Sequence, residues 1–290
     1  ASSQNAWLDS MRKVAATQKE DTNKVWTLTG IADYYNFNDP DSSIIYAKHA
    51  LAIAEKFNYD VGMFWSIKTL HNALHVTGNY TEELDYALRA LPIAKRLNDL
   101  SAYGWSNGMI ADSYINLGDY TSAMKYIRIV MQSIAEHFPN ELFSGYAVIV
   151  ADYIGLHIYD SAMYAGRKSL ELLKAQPALY EGNNIDSKYA KSQVYLYLGE
   201  AFEVNNLYDS ALYYYRKSIP ISVELNLKIY VLDAYNGTAH VFKEERQIDS
   251  AIWYAKKVLA DKLTKAYPAA KLKAANLLAD VYEDKKATDS

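Results

Sequence analysis

Two imidazoles four residues apart are the first candidates for chemistry in this chain. His71 and His75 form an H-x-x-x-H pair, a spacing that sets both rings on one helix face and suits a metal ion. The glutamate that follows the first histidine in a metalloprotease is Asn72 here, and no third ligand is evident. His71 also falls in a helix-packing column, so a core or groove histidine pair is expected and no metal. No nucleophile-elbow sequence surrounds any serine. The twelve glycines are scattered, which leaves no phosphate-cradling loop. Glu82-Glu83 and Glu244-Glu245 read as solvated helix faces. The 27 tyrosines, Tyr213-Tyr214-Tyr215 among them, suit half-buried seams between helices better than a nucleic-acid stacking platform. The expectation is a chain with no catalytic residues and no cofactor.

The totals agree with a binding role. The chain has 290 residues, half of them hydrophobic, with a net charge of −4 and nothing like a basic footprint for nucleic acid. Cysteine is absent, which excludes disulfides and thiolate metal sites. The most apolar segment, Tyr146 to Tyr159, is interrupted by Asp152 and His157 and is too short for a membrane span. Residue 1 is Ala rather than Met, which predicts a processed chain or an expressed fragment.

The elements that would position any site are announced by a recurring phrase. Asp41-Ser-Ser43, Asp160-Ser-Ala162, Asp209-Ser-Ala211 and Asp249-Ser-Ala251 each open an apolar run, with variants at Thr81 and Thr121. Taking the third residue as a marker (43, 83, 123, 162, 211, 251) gives spacings of 40, 40, 39, 49 and 40. A fixed period in this range marks a stacked repeat protein. Asp41, Thr81, Thr121, Asp160, Asp209 and Asp249 are N-cap types, so a helix is expected to start at each. Four and seven residues past the marker the residues are mostly small, as in Ala47/Ala50, Ala87/Ala90 and Ala255/Val258, which gives one stripe on one helix face. Nine before it stand Tyr34, Leu74, Tyr114, Tyr153, Phe202 and Phe242, bulky anchors on a preceding helix. Pro40, Tyr80, Tyr120, Tyr159, Tyr208 and Ile248 are placed in the turn between the two helices, and Asn58, Asn98 and Asn226 at left-handed helix ends. Pro92 and Pro220 should kink their helices.

These columns resemble the tetratricopeptide repeat. The fifth copy carries the likeness through Leu198-Gly199, Phe202, Ala211 and Tyr215, and the third through Ala111, Tyr114, Gly118-Asp119-Tyr120 and Ala123. His71 and Glu83 depart from it, standing where small residues belong. The period is longer than the family's usual ~34, which implies extended helices. The resemblance implies an all-α fold, a right-handed solenoid of antiparallel helix pairs. An N-terminal helix (1–21) precedes one superhelix over 22–286, with repeats near 22–59, 60–99, 100–139, 140–180, 185–227 and 228–266 and a half repeat at 268–286. Gln176-Pro177 and Glu181 to Asn184 form an insertion read as a loop. Leu278, Ala279 and Tyr282 repeat the first-helix columns, and Asp289-Ser290 would cap a further helix, so the native polypeptide is expected to continue past a tail at 287–290.

A superhelix of helix pairs lines its inner wall with the first helix of each pair. The second copy then offers Trp65, Lys68, Asn72 and His75 to that wall, and the third Trp105, Met109, Asp112 and Asn116. The fifth offers Gln193, Tyr197, Glu200 and Glu203, and the sixth Asp233, Asn236, His240 and Lys243. The named ligand-binding set is Trp65, Lys68, Asn72, His75, Trp105, Asp112, Asn116, Tyr197, Glu200, Asn236 and His240. In tetratricopeptide proteins such asparagines often hold an extended peptide, so the resemblance implies a protein or peptide ligand. A chaperone-tail clamp is not expected, because Met109, Ser144 and Val148 stand where asparagine and basic residues are needed.

The Asp-Ser-Ala-x-x-Tyr-Tyr pattern is similar to the repeats ahead of a membrane helix in bacterial histidine kinases and regulators. That likeness implies a non-catalytic sensor or interaction region of a larger signalling protein, outside the cytoplasmic membrane and tethered by a downstream helix. The alternatives are a cytoplasmic peptide-pheromone receptor, disfavoured by the short N-terminal helix, and a general scaffold.

Overall fold

The computed structural model describes residues 3–288 apart from 37, 139 and 141, and the side chains of 3–5, 148 and 284–288 are also outside the description. The expected capping phrase Asp289-Ser290 and the side chain of Val148 therefore lie outside the described residues. Among these residues every regular element is helical. The helices are α1 (Ser3–Thr17), α2 (Thr22–Tyr35), α3 (Pro40–Lys56), α4 (Asp60–Thr77), α5 (Tyr80–Leu97), α6 (Leu100–Asn116), α7 (Tyr120–His137) and α8 (Leu142–Gly155). They continue with α9 (Tyr159–Lys174), α10 (Pro177–Tyr180), α11 (Ile185–Val204), α12 (Tyr208–Glu224), α13 (Lys228–Glu244), α14 (Ile248–Ala260) and α15 (Pro268–Thr288).

The chain divides into two compact units, Ala1–Ser133 and Ile134–Ser290. In the first, α2 packs on α3, α3 on α4, α4 on α5 and α5 on α6, while the first helices α2, α4 and α6 also meet one another. The second repeats the scheme, with α8 on α9, α11 on α12, α12 on α13 and α13 on α14, and α11, α13 and α15 in contact in sequence. The marker column explains why these pairs close: Ser43, Glu83, Ala123, Ala162, Ala211 and Ala251 are all fully buried. Small residues there let the helix backbones approach, and the bulky anchors of the preceding helix fill what remains.

Helix starts differ from expectation by a residue or two. The cap positions are Asp39, Asn79, Ile158, Leu207 and Gln247, so Pro40 and its counterparts are the first helical residues rather than turn residues. Asp39 does cap, accepting from the Ser42 amide at 3.3 Å and the Ser42 hydroxyl at 2.7 Å. Asp119 repeats this with Ser122 at 3.1 and 2.7 Å. Asp41, Asp160, Asp209 and Asp249 instead sit in the first turn, where a negative charge faces the positive end of the helix dipole.

Helix ends match the expectation. Asn58, Asn98 and Asn226 adopt φ of 50°, 51° and 57°, and Gly78 and Gly118 take the same left-handed turn inside their repeats. α5 and α12 run through Pro92 and Pro220 without ending. The 176–184 insertion is not all loop, since it folds the short α10 against α9 and α11. In α15 the buried face is Ala270, Ala274, Leu277 and Val281, which meets α13 and α14, whereas Ala279 and Tyr282 are exposed. The expected seventh column is therefore one residue out of register.

Candidate functional site

In the first unit, α4 and α6 set Trp65 and Trp105 on either side of Lys68, whose Nζ lies 5.0 Å and 4.4 Å from their ring centroids. Both indoles remain well exposed, at 39% and 50%. Burial lowers the Lys68 ammonium's pKa, and Asp33 on α2 opposes that shift. Burial likewise raises the Asp33 carboxyl, with Lys68 pulling it back. The lysine is thus a cation held by two aromatic faces and one acidic neighbour, rather than a free surface charge.

One turn further along α4 lies a buried charge cluster. Glu83 on α5 is fully buried, its Oε1 3.0 Å from His71 Nε2 and 3.2 Å from His75 Nδ1. His71 Nε2 is also 3.1 Å from the Met109 carbonyl, and His75 Nδ1 is 3.1 Å from the Asn116 amide nitrogen. Burial works to raise the Glu83 carboxyl, but hydrogen bonds with His71 and then His75, reinforced by their charge, bring it down to about 2. Two readings change here. Glu83 is no solvated helix face, and the two residues that broke the repeat pattern, His71 and Glu83, compensate each other. Met109 also leaves the predicted wall, because its side chain is buried at 4% in the core. Asn72, Asp112 and Asn116 are half-buried on the α4 and α6 faces.

The second unit is built differently. α11 and α13 bring Glu200, Glu203 and Asp233 together, and each helix supplies a glycine that lets Tyr215 of α12 pass between them. A Cβ on Gly199 would stand 2.5 Å from the Tyr215 ring, and one on Gly237 would stand 2.4 Å from its Cζ and Oη. Through this gap the Tyr215 hydroxyl donates to Glu203. The Tyr267 hydroxyl donates to Asp233 at 2.7 Å, and His240 Nδ1 lies 2.9 Å from Glu203. The hydrogen bond to Glu203 raises the pKa of His240 against the opposing effect of burial.

Burial holds Glu200 up to about 8; the positive charge of Lys273 opposes it, and Asp233 and Glu203 add smaller upward effects. Asn236 is buried at 7% and donates to the Ala270 carbonyl at 3.1 Å, while its Oδ1 has no partner among the described residues. Tyr197 stands beside Tyr230, their ring centroids 6.5 Å apart. Gln193 is buried at 9%, and Lys243 is tied to Asp280 at 2.8 Å.

Each predicted wall residue thus lies on a first helix. Trp65, Lys68 and Trp105 come together, as do His75 and Asn116, and as do Glu200 and Tyr197 with the Asp233 cluster. Asn236 is drawn mostly into packing. The sequence reading missed Tyr215 and Tyr267, which reach the wall from outside the first-helix columns. Only the glycines at 199 and 237 hinted at the passage of Tyr215. Among the described residues, no group of three or more His, Asp or Glu is arranged to hold a metal ion.

This architecture defines a tetratricopeptide-like helical repeat. No family model matches the chain, and no curated protein does. Solved structures do match. A Rap protein complexed with Competence and Sporulation Factor aligns with a TM-score of 0.64 at 18% identity, over 93% of this chain and 71% of that one. NprR in complex with its cognate peptide NprX aligns with a TM-score of 0.64 at 14% identity, over 96% and 84%. Aspartyl phosphate phosphatase F from Bacillus subtilis gives 0.59 at 16%, over 86% and 62%. At these identities the likeness is one of fold. The likeness to proteins solved with a bound factor or peptide corrects the expectation of an extracytoplasmic setting. No helix among the described residues is long and apolar enough to cross a membrane.

Proposed function

We propose that this chain is a non-catalytic peptide-binding helical repeat domain, with the ligand held on the first-helix walls. The peptide-receptor reading, with its cytoplasmic setting, replaces the membrane-sensor reading. The observation that carries it is the set on α4 and α6 made of the exposed Trp65 and Trp105 and the half-buried Asn72 and Asn116. Rigid aromatic faces beside amide groups suit an extended chain: rings take up side chains, and amides pair with backbone donors and acceptors. The peptide-bound states of the Rap protein and NprR support the same use of this fold.

The test is capture from an immobilised hexapeptide library by wild type, Asn72→Ala and Trp65→Ala. Loss of about one hydrogen bond or one aromatic contact should weaken capture roughly tenfold in each variant. Unchanged capture by both would contradict the proposal.

A further inference from the structure

The second helices of the second unit repeat a surface column that the first-helix walls do not use. Two residues past each buried alanine marker stand Tyr164 on α9, Tyr213 on α12 and Trp253 on α14. All three are more than half exposed, at 61%, 52% and 52%. Five and six past the marker, one turn further along the same face, each helix carries two cations: Arg167-Lys168, Arg216-Lys217 and Lys256-Lys257. Lys217 Nζ lies 4.9 Å from the Tyr213 ring centroid, and Lys257 Nζ lies 5.0 Å from that of Trp253. On α9, Met163, Tyr164 and Arg167 border an open hollow of about 340 Å³.

The first unit fills the same columns differently. Its residues two past the marker are Ile45, Asp85 and Lys125. Lys48, five past, meets Glu82 at 2.7 Å, and Arg89, six past, meets Glu55, so both cations tie α3 to α5. Among the described residues of the second unit, only Lys168 of the six has an ion pair, with Glu171 of its own helix at 2.9 Å. Five cations thus carry no ion pair there, beside three exposed rings. Aromatic residues and arginine are the types enriched at the centres of protein interfaces. Asp160, Asp209 and Asp249 stand four residues before the rings, on the same helix faces. A nucleic-acid backbone or an anionic bilayer, negative throughout, would meet those aspartates along with the cations. A polypeptide can set carboxylates against the cations alone and apolar side chains against the rings.

We propose that the exposed face of α9, α12 and α14 docks an acidic segment of a partner protein, its carboxylates on the basic pairs and its apolar side chains on the three rings. This surface is separate from the first-helix walls, and the peptide-binding reading stands or falls without it.

The test reads the fluorescence anisotropy of two pools of labelled dodecapeptides. One pool is built from Glu, Asp, Leu and Phe, and the other is identical except for Gln and Asn in place of the acids. Wild type should bind the acidic pool about tenfold more tightly, the sum of several exposed charge pairs, and the preference should shrink as salt rises. Arg216→Gln combined with Lys217→Gln should remove most of that preference. Tyr213→Ser combined with Trp253→Ser should weaken binding of the acidic pool about tenfold, as loss of aromatic anchors does. Trp105→Ala on the wall of the first unit should change neither. The substituted side chains are exposed, so melting temperatures should stay at the wild-type value. Equal binding of both pools by wild type, or binding and preference that survive both double variants, would overturn the proposal. So would a protein that ignores the acidic pool yet binds phosphatidylserine vesicles or oligo-dT through these same side chains, since a phosphate surface would then be the occupant.

Discussion

The two units solve the problem of a buried carboxylate in opposite ways. Hydrogen bonds with His71 and His75 bring the Glu83 carboxyl down to about 2 against burial, whereas burial carries Glu200 up to about 8, with Lys273 opposing and Asp233 and Glu203 adding to the rise. The same side chain, in the same kind of helical repeat, is therefore an ionised strut in one place and a protonated group in the other. Burial raises both carboxyls; at Glu83 the two histidines outweigh it, and at Glu200 the opposing charge of Lys273 does not. A carboxylate with its charge already answered locks helices together.

The largest effect expected from breaking this contrast is at Glu83. Glu83→Ala strands two imidazoles and should cost the first unit about 3–5 kcal/mol, as loss of one partner from a buried ion pair does. Four of the five tryptophans, Trp7, Trp26, Trp65 and Trp105, lie in that unit, so denaturant unfolding followed by tryptophan fluorescence reports it. In the second unit Gly237→Ala should cost about 1–3 kcal/mol, because the new methyl collides with a buried ring that cannot easily move. Full tolerance of alanine there would mean that Tyr215 is not wedged between α11 and α13.

The pH dependence sharpens the comparison because the two signs differ. Between 4.5 and about 2 the unfolded Glu83 binds a proton that the folded one does not, so the first unit loses stability as pH falls through that window. Between 4.5 and about 8 the folded Glu200 holds a proton that the unfolded one has released, so the second unit loses stability as pH rises. Each slope is at most about 1.4 kcal/mol per pH unit. Glu200→Gln should flatten the second slope and leave the first, as urea titrations across the pH range would show. The smallest effect is at Trp105→Ala. Removing one of the two faces around Lys68 should cost about 0.5–1 kcal/mol, the usual worth of a cation–π contact at an exposed site.

The repeat was legible because its columns answer to local physics. Small residues at 47, 50, 87, 90 and 255 and asparagines at 58, 98 and 226 each follow from close helix approach or a left-handed turn. The caps were less so: the aspartate of the Asp-Ser phrase stands in the first turn at 41, 160, 209 and 249, whereas the side-chain caps come from Asp39 and Asp119, two residues ahead of the phrase. The wall was half legible. Period and face identify Trp65, Lys68 and Glu200. No spacing along one helix, however, reveals that His71 of α4 finds Glu83 of α5, or that Tyr215 passes two glycines to reach Glu203. Those are pairings between helices, and a single sequence does not display them.

The measurement closest to the central claim is hydrogen exchange with and without a hexapeptide captured from the library, read by mass spectrometry along the chain. The account predicts slowed exchange on α4 and α6 around Trp65, Asn72, Trp105 and Asn116, because a bound peptide orders the first-helix wall. Protection confined to the second helices α3 and α5, with none on α4 or α6, would contradict it.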